Sequence, residues 1–583
     1  MVLKKRNIPE LLNDNKLYTC KNDIVNIFNE YFINTIEGIR NNIPNSNNDF
    51  KRYLPASCIR SIFIEPINET DVINIVKALK EKTSYGHDCI STKLLKRGLP
   101  ALATPLAHII NLSIMSGIVP EQLKLAKVVP VHKGSDPKLC NNYRPISLLP
   151  SISKIFEKVM FSKLMSFFNH TNALYKHQYG FRSGHATVHP MIHLLNACAQ
   201  AHNHRPPEHT LSIFCDLSKA FDIIDHSILL YKLQNMGVRG VTLKWLESYL
   251  TNRKQYVEIE NTKSDIKIIK HGVPQGSVLG PLLFLIYVND INKKNDNNTL
   301  CFADDTTIFV TSSNPNELFL KANDILKNSY DWFCANKLRL NTKKTNYMII
   351  SPHKLNLNNN DFVLKIGNDS ISQVTSTKFL GINIDEKLNW RAHLSTINKR
   401  VCHSLMAIRQ VKHYLPLSSL RTLYFALIHP HLLYGILAWG NAKQIHIKRT
   451  QILQKRALRY ITKSQYNDHT DPLFKATRIL KLNDLYKQQV ALFMYDSCNN
   501  KLPKSFQDCY LLHCNSNSHP YPTRSTSLFV TPTPRSDFAA NLPYYNFPKI
   551  ANTYSEYITN AQSRNQMKTT IRNNIIQRYP SQV

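Results

Sequence analysis

The chain is short of acidic residues. Against 73 Lys and Arg stand 40 Asp and Glu, a formal charge of +33 over 583 residues. A folded surface with that excess repels itself unless a polyanion is its partner, which points to nucleic acid. The plainer alternative is a generally basic protein. The basic residues are spread along the chain rather than gathered in one amphipathic helix, which argues against an anionic membrane surface. Long hydrophobic runs are also missing. The most apolar stretch, Val278 to Val288, is broken by Gly280 and Pro281 and is too short to span a bilayer. The opening Met1-Val-Leu-Lys-Lys-Arg has no apolar h-region, so no secretory signal and no membrane partner are expected, and Lys4-Lys5-Arg6 is too short for a nuclear signal. No repeat and no coiled coil stands out. The twelve cysteines include no CxxC pair, and Cys215 and Cys301 sit inside apolar runs, which fits free thiols in a reducing, intracellular compartment. Cys509, His513, Cys514 and His519 fit no standard zinc spacing.

Helix and strand periodicities alternate over most of the chain. Ile24, Ile27, Phe28, Tyr31, Phe32, Ile36 and Ile39 predict an amphipathic helix over about 23–40, followed by an Asn-rich linker. Asp71 to Glu81 reads as helix, and Lys93 to Met115 as helix broken at Gly98-Leu-Pro100. Beyond Trp390, Leu394, Ile397, Val401, Leu405, Ile408, Val411 and Leu415 trace one helical stripe. Leu420, Leu423, Leu427, His431 and Tyr434 trace a second, and Gln451 to Ile461 is a third, basic helix. After about residue 500, Pro, Asn and Ser dominate, and a loosely ordered tail is expected.

Chemistry concentrates in a few places. Leu300-Cys-Phe-Ala-Asp-Asp-Thr-Thr-Ile-Phe-Val310 reads as a hairpin with Asp304 and Asp305 at its tip. Adjacent carboxylates repel, so such a turn either exposes them to water or uses them to hold a metal. Leu211 to Asp216 is an apolar strand ending in an acid, a place to hold a cation, cap a helix or make a salt bridge. Lys133 and Arg144 flank a turn and can converge on one anion, point charge beside planar fork; two solvated basic residues are the alternative. Gln178-Tyr-Gly-Phe-Arg-Ser-Gly184 is a loop whose exposed aromatic can stack on a base while Arg182 meets a phosphate. The glycines of Gly272-Val-Pro-Gln-Gly-Ser-Val-Leu-Gly-Pro281 allow a ligand close to the backbone, although no Walker Lys closes the loop.

Taken in order, Phe214-Cys-Asp-Leu-Ser-Lys-Ala-Phe-Asp222, Gly272 to Pro281 and Phe302-Ala-Asp-Asp305 resemble the A, B and C motifs of reverse transcriptases. Asn142-Tyr-Arg-Pro-Ile-Ser147, Gln178 to Arg182, Leu340-Asn-Thr-Lys-Lys-Thr345 and Phe379-Leu-Gly381 resemble the same family's flanking blocks. Phe-Ala-Asp-Asp in this context is similar to non-LTR retrotransposons, jockey-like ones especially. The resemblance covers about residues 20–465. It implies an α+β right-hand polymerase: a helical extension over 1–60, fingers with part of the palm over 61–210, palm over 211–388 and helical thumb over 389–465. Composition adds a basic, partly disordered region over 466–583. The resemblance implies that Asp216, Asp304 and Asp305 hold two Mg²⁺, with Mn²⁺ as the alternative. It further implies that Lys133, Arg144, Gln275 and Gly276 bind the dNTP, that Phe221 is a sugar gate or else core packing, and that Lys344 or its neighbour Lys343 protonates pyrophosphate. Template RNA, primer or target DNA and dNTPs are the implied partners, in nucleus and cytoplasm. Some sixty residues precede the fingers, so the expectation is a polymerase portion without an endonuclease domain. Ser84-Tyr-Gly-His-Asp-Cys89 departs from the family's Ser-Pro-Gly-X-Asp-Gly. An RNA-dependent RNA polymerase and a non-catalytic nucleic-acid-binding relic are the rival readings.

Overall fold

The structure, a computed structural model, describes residues 8–581 apart from 45, 47, 135, 292–297, 353–361, 368, 508, 511 and 513–527. Lys4 to Arg6, His513, Cys514 and His519 therefore lie outside the described residues. The chain divides into two compact units. One comprises residues 1–181, 216–297 and 327–341; the other comprises 182–215, 298–326 and 342–583.

In the first unit the helix Lys21–Asn41 buries Ile24, Val25, Phe28 and Phe32. They pack with Val128, Tyr143, Val257 and Ile259 of a sheet, Phe28 meeting the Tyr143 ring edge-on at 5.0 Å. Each such side chain removed from water stabilises by about 1.5–3 kcal/mol. Asn29 lies on the buried face with its amide satisfied: it donates to Ser264 Oγ and the Asp265 carbonyl and accepts from Gln255 Nε2. In that sheet the strand Leu125–His132 pairs antiparallel with Tyr143–Leu148 and parallel with Arg253–Ile259. Pro130 and Pro145 face each other beyond the last residue paired to Arg253–Ile259, where a missing N–H costs least.

The helix Thr92–Ser116 corrects one expectation, because it runs through Pro100 and Pro105 without a break. Both prolines lie away from the buried stripe or at its margin, and the helix packs through its other residues. Leu95, Leu99, Ala103, Leu106 and Ile110 hold that stripe in the core. Among the described residues this helix alone is long and apolar enough to cross a membrane by length and composition. Cys89 stands where the resembling family has glycine, and it adopts the left-handed φ of +58° that glycine would supply.

The second unit holds a five-stranded sheet ordered Ser372–Gln373, Asn346–Ile350, His209–Cys215, Asp305–Ser312, Thr299–Phe302. Its central strand His209–Cys215 is buried from Thr210 to Cys215 and pairs antiparallel on both sides. The helices after Trp390 follow the first stripe as expected, with Leu394, Ile397, Val401, Leu405 and Ile408 buried. The second stripe is shifted by one position. Leu420, Tyr424, Ile428 and Leu432 are buried, while Leu427 and Tyr434 are exposed. Apolar residues occupy both faces of this segment, so periodicity admits either stripe. Among the described residues, part of the tail is helical. Helices Asp537–Ala540, Pro543–Asn552, Ser555–Asn560 and Arg564–Gln577 bury Phe547, Ala551, Ile558, Met567 and Ile571.

A buried ion pair gives a stability test in the first unit. Lys232 Nζ donates to Asp290 Oδ1 and to the Tyr287 carbonyl, both at 2.6 Å, and lies 5.1 Å from the Tyr287 and Trp332 rings. Its side chain is 2% exposed and that of Asp290 3%. Removing one partner strands the other charge. Lys232→Met should therefore lose about 3–5 kcal/mol in chemical denaturation, and Lys232→Met/Asp290→Leu should recover most of it.

Candidate active site

The Phe302-Ala-Asp-Asp305 segment is a two-residue hairpin turn, since Phe302 pairs with Asp305. Ala303 takes φ +58°, the left-handed conformation that tight hairpins require, and it does so at 8% exposure, where a small side chain fits best. Asp304 is half-buried and Asp305 exposed, so both carboxylates retain access to water. The adjoining strand pairs in register down to Cys215 opposite Thr306. The register thus ends one residue short of Asp216 on one strand and of Asp305 on the other.

Asp216 is fixed by a residue that sequence reasoning quoted without a role. Asn341 donates from its backbone N–H to the Asp216 carbonyl at 2.8 Å and from Nδ2 to its carboxylate at 3.2 Å. Leu217 bridges Leu340 next to it. The signal was present in Leu-Asn-Thr-Lys-Lys, but an Asn beside two lysines reads as a solvated turn. Among the described residues no three His, Cys, Asp or Glu side chains form a ready-made metal cage. Carboxylate oxygens with water access nevertheless suit Mg²⁺, which dehydrates reluctantly and takes one or two carboxylates, waters and substrate phosphates.

The expected nucleotide-binding residues fall in the first unit. Lys133 extends the hairpin register, its N–H donating to the Asn142 carbonyl, while Arg144 pairs with Val131. Lys133 lies two positions on from Val131, so Lys133 and Arg144 share a face, and both are exposed. Lys133 Nζ donates to the Asn141 carbonyl at 3.2 Å. Gln275 Nε2 donates to both carboxylate oxygens of Asp222 at 2.8 Å, and its carbonyl accepts from Ser147 N. The loop glycines lie close against protein backbone. A Cβ at Gly272 would lie 2.4 Å from the Asp222 carbonyl oxygen, and one at Gly276 2.5 Å from that of Ser147, with φ of +79° and +126°. Phe221 is half-buried, stacked 4.5 Å from Phe284 at 23° with the Phe181 ring edge-on at 6.0 Å. Phe181 is 51% exposed at φ +55°. In the second unit Arg182 is half-buried, and Lys343 and Lys344 are both exposed.

Three supports went unread in the sequence. Arg40 of the first long helix donates to the Ile223 carbonyl at 2.9 Å and to Asp225 at 2.6 Å, and Lys337 reaches the same carboxylate at 2.7 Å. Burial raises the Asp225 pKa, but the bonds from Lys337, Ser227 and Arg40 outweigh it and hold the group far below the usual range. Glu157, buried, accepts from the N–H groups of Val278 and Leu279 at 2.5 and 3.1 Å, ahead of the helix Gly280–Tyr287. Lys219, its pKa lowered mainly by burial, lies 5.2 Å over the Tyr31 ring.

The paired acids of the hairpin lie in the portion of the chain that shows kinship to known proteins. Residues 131–384 match the family described as reverse transcriptase (RNA-dependent DNA polymerase), so that portion of the chain is similar to the reverse transcriptases. Its relatives are mobile elements. It is 31% identical over 427 residues to the "Probable RNA-directed DNA polymerase from transposon BS" of Drosophila melanogaster, covering 70% of this chain and 46% of that protein. It is 28% identical over 447 residues to the RNA-directed DNA polymerase from mobile element jockey of the same species, covering 74% and 48%. A third relative, from the X-element, is 29% identical, covering 68% and 44%. The chain spans about half the length of the curated relatives it matches.

The Asp222–Gln275 contact carries a pH test. Burial pushes the Asp222 carboxyl up to about 6, against the Gln275 hydrogen bond and the charges of Lys219 and Lys133. The folded state therefore binds this proton more tightly than the unfolded state, and its contribution to stability falls as pH rises from about 4 to about 6. Asp222→Asn should remove that slope. The stability difference, variant minus wild type, should grow through this window and stay level above it, as read by urea denaturation against pH.

Proposed function

We propose that the chain is an RNA-directed DNA polymerase that copies a retrotransposon's own RNA into DNA, priming on target DNA, in nucleus and cytoplasm. The observation that carries this reading is the pairing of the Asp304-Asp305 hairpin with the strand that runs into Asp216. The residues divide as fingers over 61–210, palm over 211–388 and helical thumb over 389–465. Asp216, Asp304 and Asp305 are the groups that would hold two Mg²⁺, or Mn²⁺. When bound, such ions stabilise the entering and leaving oxygens of an in-line phosphoryl transfer.

The protein's own part is position and charge. Asn341 orients the Asp216 carboxylate. Lys133 and Arg144, on one face of their hairpin, grip the triphosphate as ammonium and fork. Gln275, held on Asp222, and Gly276, closed against Ser147, set the floor on which the nucleotide rests. Arg182 meets a template phosphate beside the exposed Phe181 ring. Lys344 gives a proton to the departing pyrophosphate. Phe221 faces the sugar. Its ring is backed by Phe284, so it cannot retreat from a 2′-hydroxyl and offers it no hydrogen bond.

Two variants test this. Asp304→Asn should abolish primer extension on RNA while leaving RNA affinity within about twofold, because it removes an oxygen donor and no basic surface. Retention of a tenth of the activity would remove the hairpin from the metal site. Phe221→Ala should raise rNTP over dNTP incorporation by roughly tenfold or more, about 1.4 kcal/mol of lost discrimination. Loss of all synthesis with a lower melting temperature and unchanged sugar preference would make the ring core packing.

A further inference from the structure

Beyond residue 384, outside the span that matches the family, three arginines of the second unit are locked together. Arg421 of the helix Leu417–Leu427 donates from Nε to the Thr477 carbonyl at 2.9 Å. Arg478, the next residue, donates from Nη2 to Asn573 Oδ1 at 2.8 Å. Arg572 of the helix Arg564–Gln577 donates from Nη2 to the Arg478 carbonyl at 2.5 Å. Three separate segments thus bring three guanidiniums together. Each spends one N–H group on a neutral oxygen, and none is paired with a carboxylate among the described residues.

The crowding is real in electrostatic terms. Burial lowers the Arg572 pKa, and the charges of Arg421 and Arg478 lower it further. Burial likewise pushes the nearby His429 imidazole down to about 4, with Lys568 and Arg572 adding to the effect, so it stays neutral at physiological pH. The carrier is rigid. Gln488, 2% exposed, donates to the Lys568 carbonyl at 2.9 Å, and Met567, Ile571 and Ile575 are buried beneath the cluster's helix. Arg478 is held at φ +53°, a left-handed conformation uncommon for a long side chain. Its side chain is exposed, while those of Arg421 and Arg572 are half-buried. A protein that fixes like charges side by side, with most of their N–H donors still unspent, offers a fork for an anion with several oxygens.

We propose that Arg421, Arg478 and Arg572, with Lys568 at the edge, form a phosphate-binding site for the backbone of a nucleic acid strand, separate from the catalytic and nucleotide-binding residues. A phosphodiester suits the cluster because its two non-bridging oxygens, which share one negative charge, accept several N–H bonds at once and offset the mutual repulsion. The site reads no base, since its guanidiniums meet only the phosphates. It would anchor RNA or DNA to the C-terminal helices whether or not synthesis is under way.

The test uses the full chain without nucleotide or divalent metal, so it is independent of the polymerase reading: a failure of primer extension would leave it standing. A short single-stranded RNA and a DNA of the same sequence are titrated by fluorescence anisotropy across about 50–200 mM salt. On single strands each lost phosphate contact should reduce the magnitude of the slope of log K against log[salt] by about 0.7, so Arg421→Gln/Arg572→Gln should reduce it by about 0.7–1.4 for both polymers. Without nucleic acid this variant should melt no lower than wild type, because crowding is relieved. Arg478→Gln, exposed and tied to Asn573, is the second variant if the first fails to fold, with an expected loss of about 0.7. A slope unchanged in the folded variants for both RNA and DNA overturns the proposal and makes the cluster a structural clasp.

Discussion

The first unit depends on one contact between backbones. At Gly272 the loop that leads to the helix Gly280–Tyr287 lies so close to Asp222 that a Cβ would stand 2.4 Å from the Asp222 carbonyl oxygen. The Gly272 N–H donates to the Ile224 carbonyl and the Val273 N–H to that of Phe221. Once these segments touch, the Asp222 carboxylate has nowhere to go but under the loop, where Gln275 meets both its oxygens. Burying that charge is costly, and its raised pKa expresses the cost. The return is a fixed geometry: Phe221, one residue earlier, is held at a set height against Phe284, and Ser147 is tied to Gln275. The hairpin carrying Lys133 and Arg144 is thereby referenced to the same loop.

Charge is handled differently in different places. Asp222 and Asp225 stand three residues apart with opposite shifts, one raised by burial and one depressed by the bonds of Lys337, Ser227 and Arg40. The first holds the loop and the second holds the turn to the N-terminal helix. Asp304 and Asp305 keep access to water. The cationic excess is spread over surfaces of both units. At Arg421, Arg478 and Arg572 it is concentrated rather than diluted.

Much of this was legible in the sequence, for physical reasons. Asp-Asp between two β-rich runs leaves few conformations but a hairpin, and Leu211 to Cys215 is apolar enough to require burial on both faces. What periodicity could not see was context. Pro100 and Pro105 look like breaks, yet the helix packs well enough through Leu99, Ala103 and Leu106 to carry them. Leu427 and Leu423 look as good a stripe as Tyr424 and Ile428, because nothing local says which face meets the next helix. The helices between Asp537 and Gln577 are short and rich in Asn, Tyr and Pro, a composition that reads as loose chain until Phe547 and Met567 are seen buried. Arg40, Glu157 and Asn341 were missed because a polar residue on a helix or turn reads as solvated. Their importance comes from partners far away in sequence, Asp225, Val278 and Asp216, which only the fold supplies.

The most direct measurement is primer extension by the purified chain on an RNA template annealed to a DNA primer, with Mg²⁺ and either dNTPs or rNTPs. The account predicts DNA product with dNTPs, little or none with rNTPs, and none when Mg²⁺ is chelated. Tight RNA binding with no extension under any of these conditions would contradict it and leave a nucleic-acid-binding protein built on a polymerase fold.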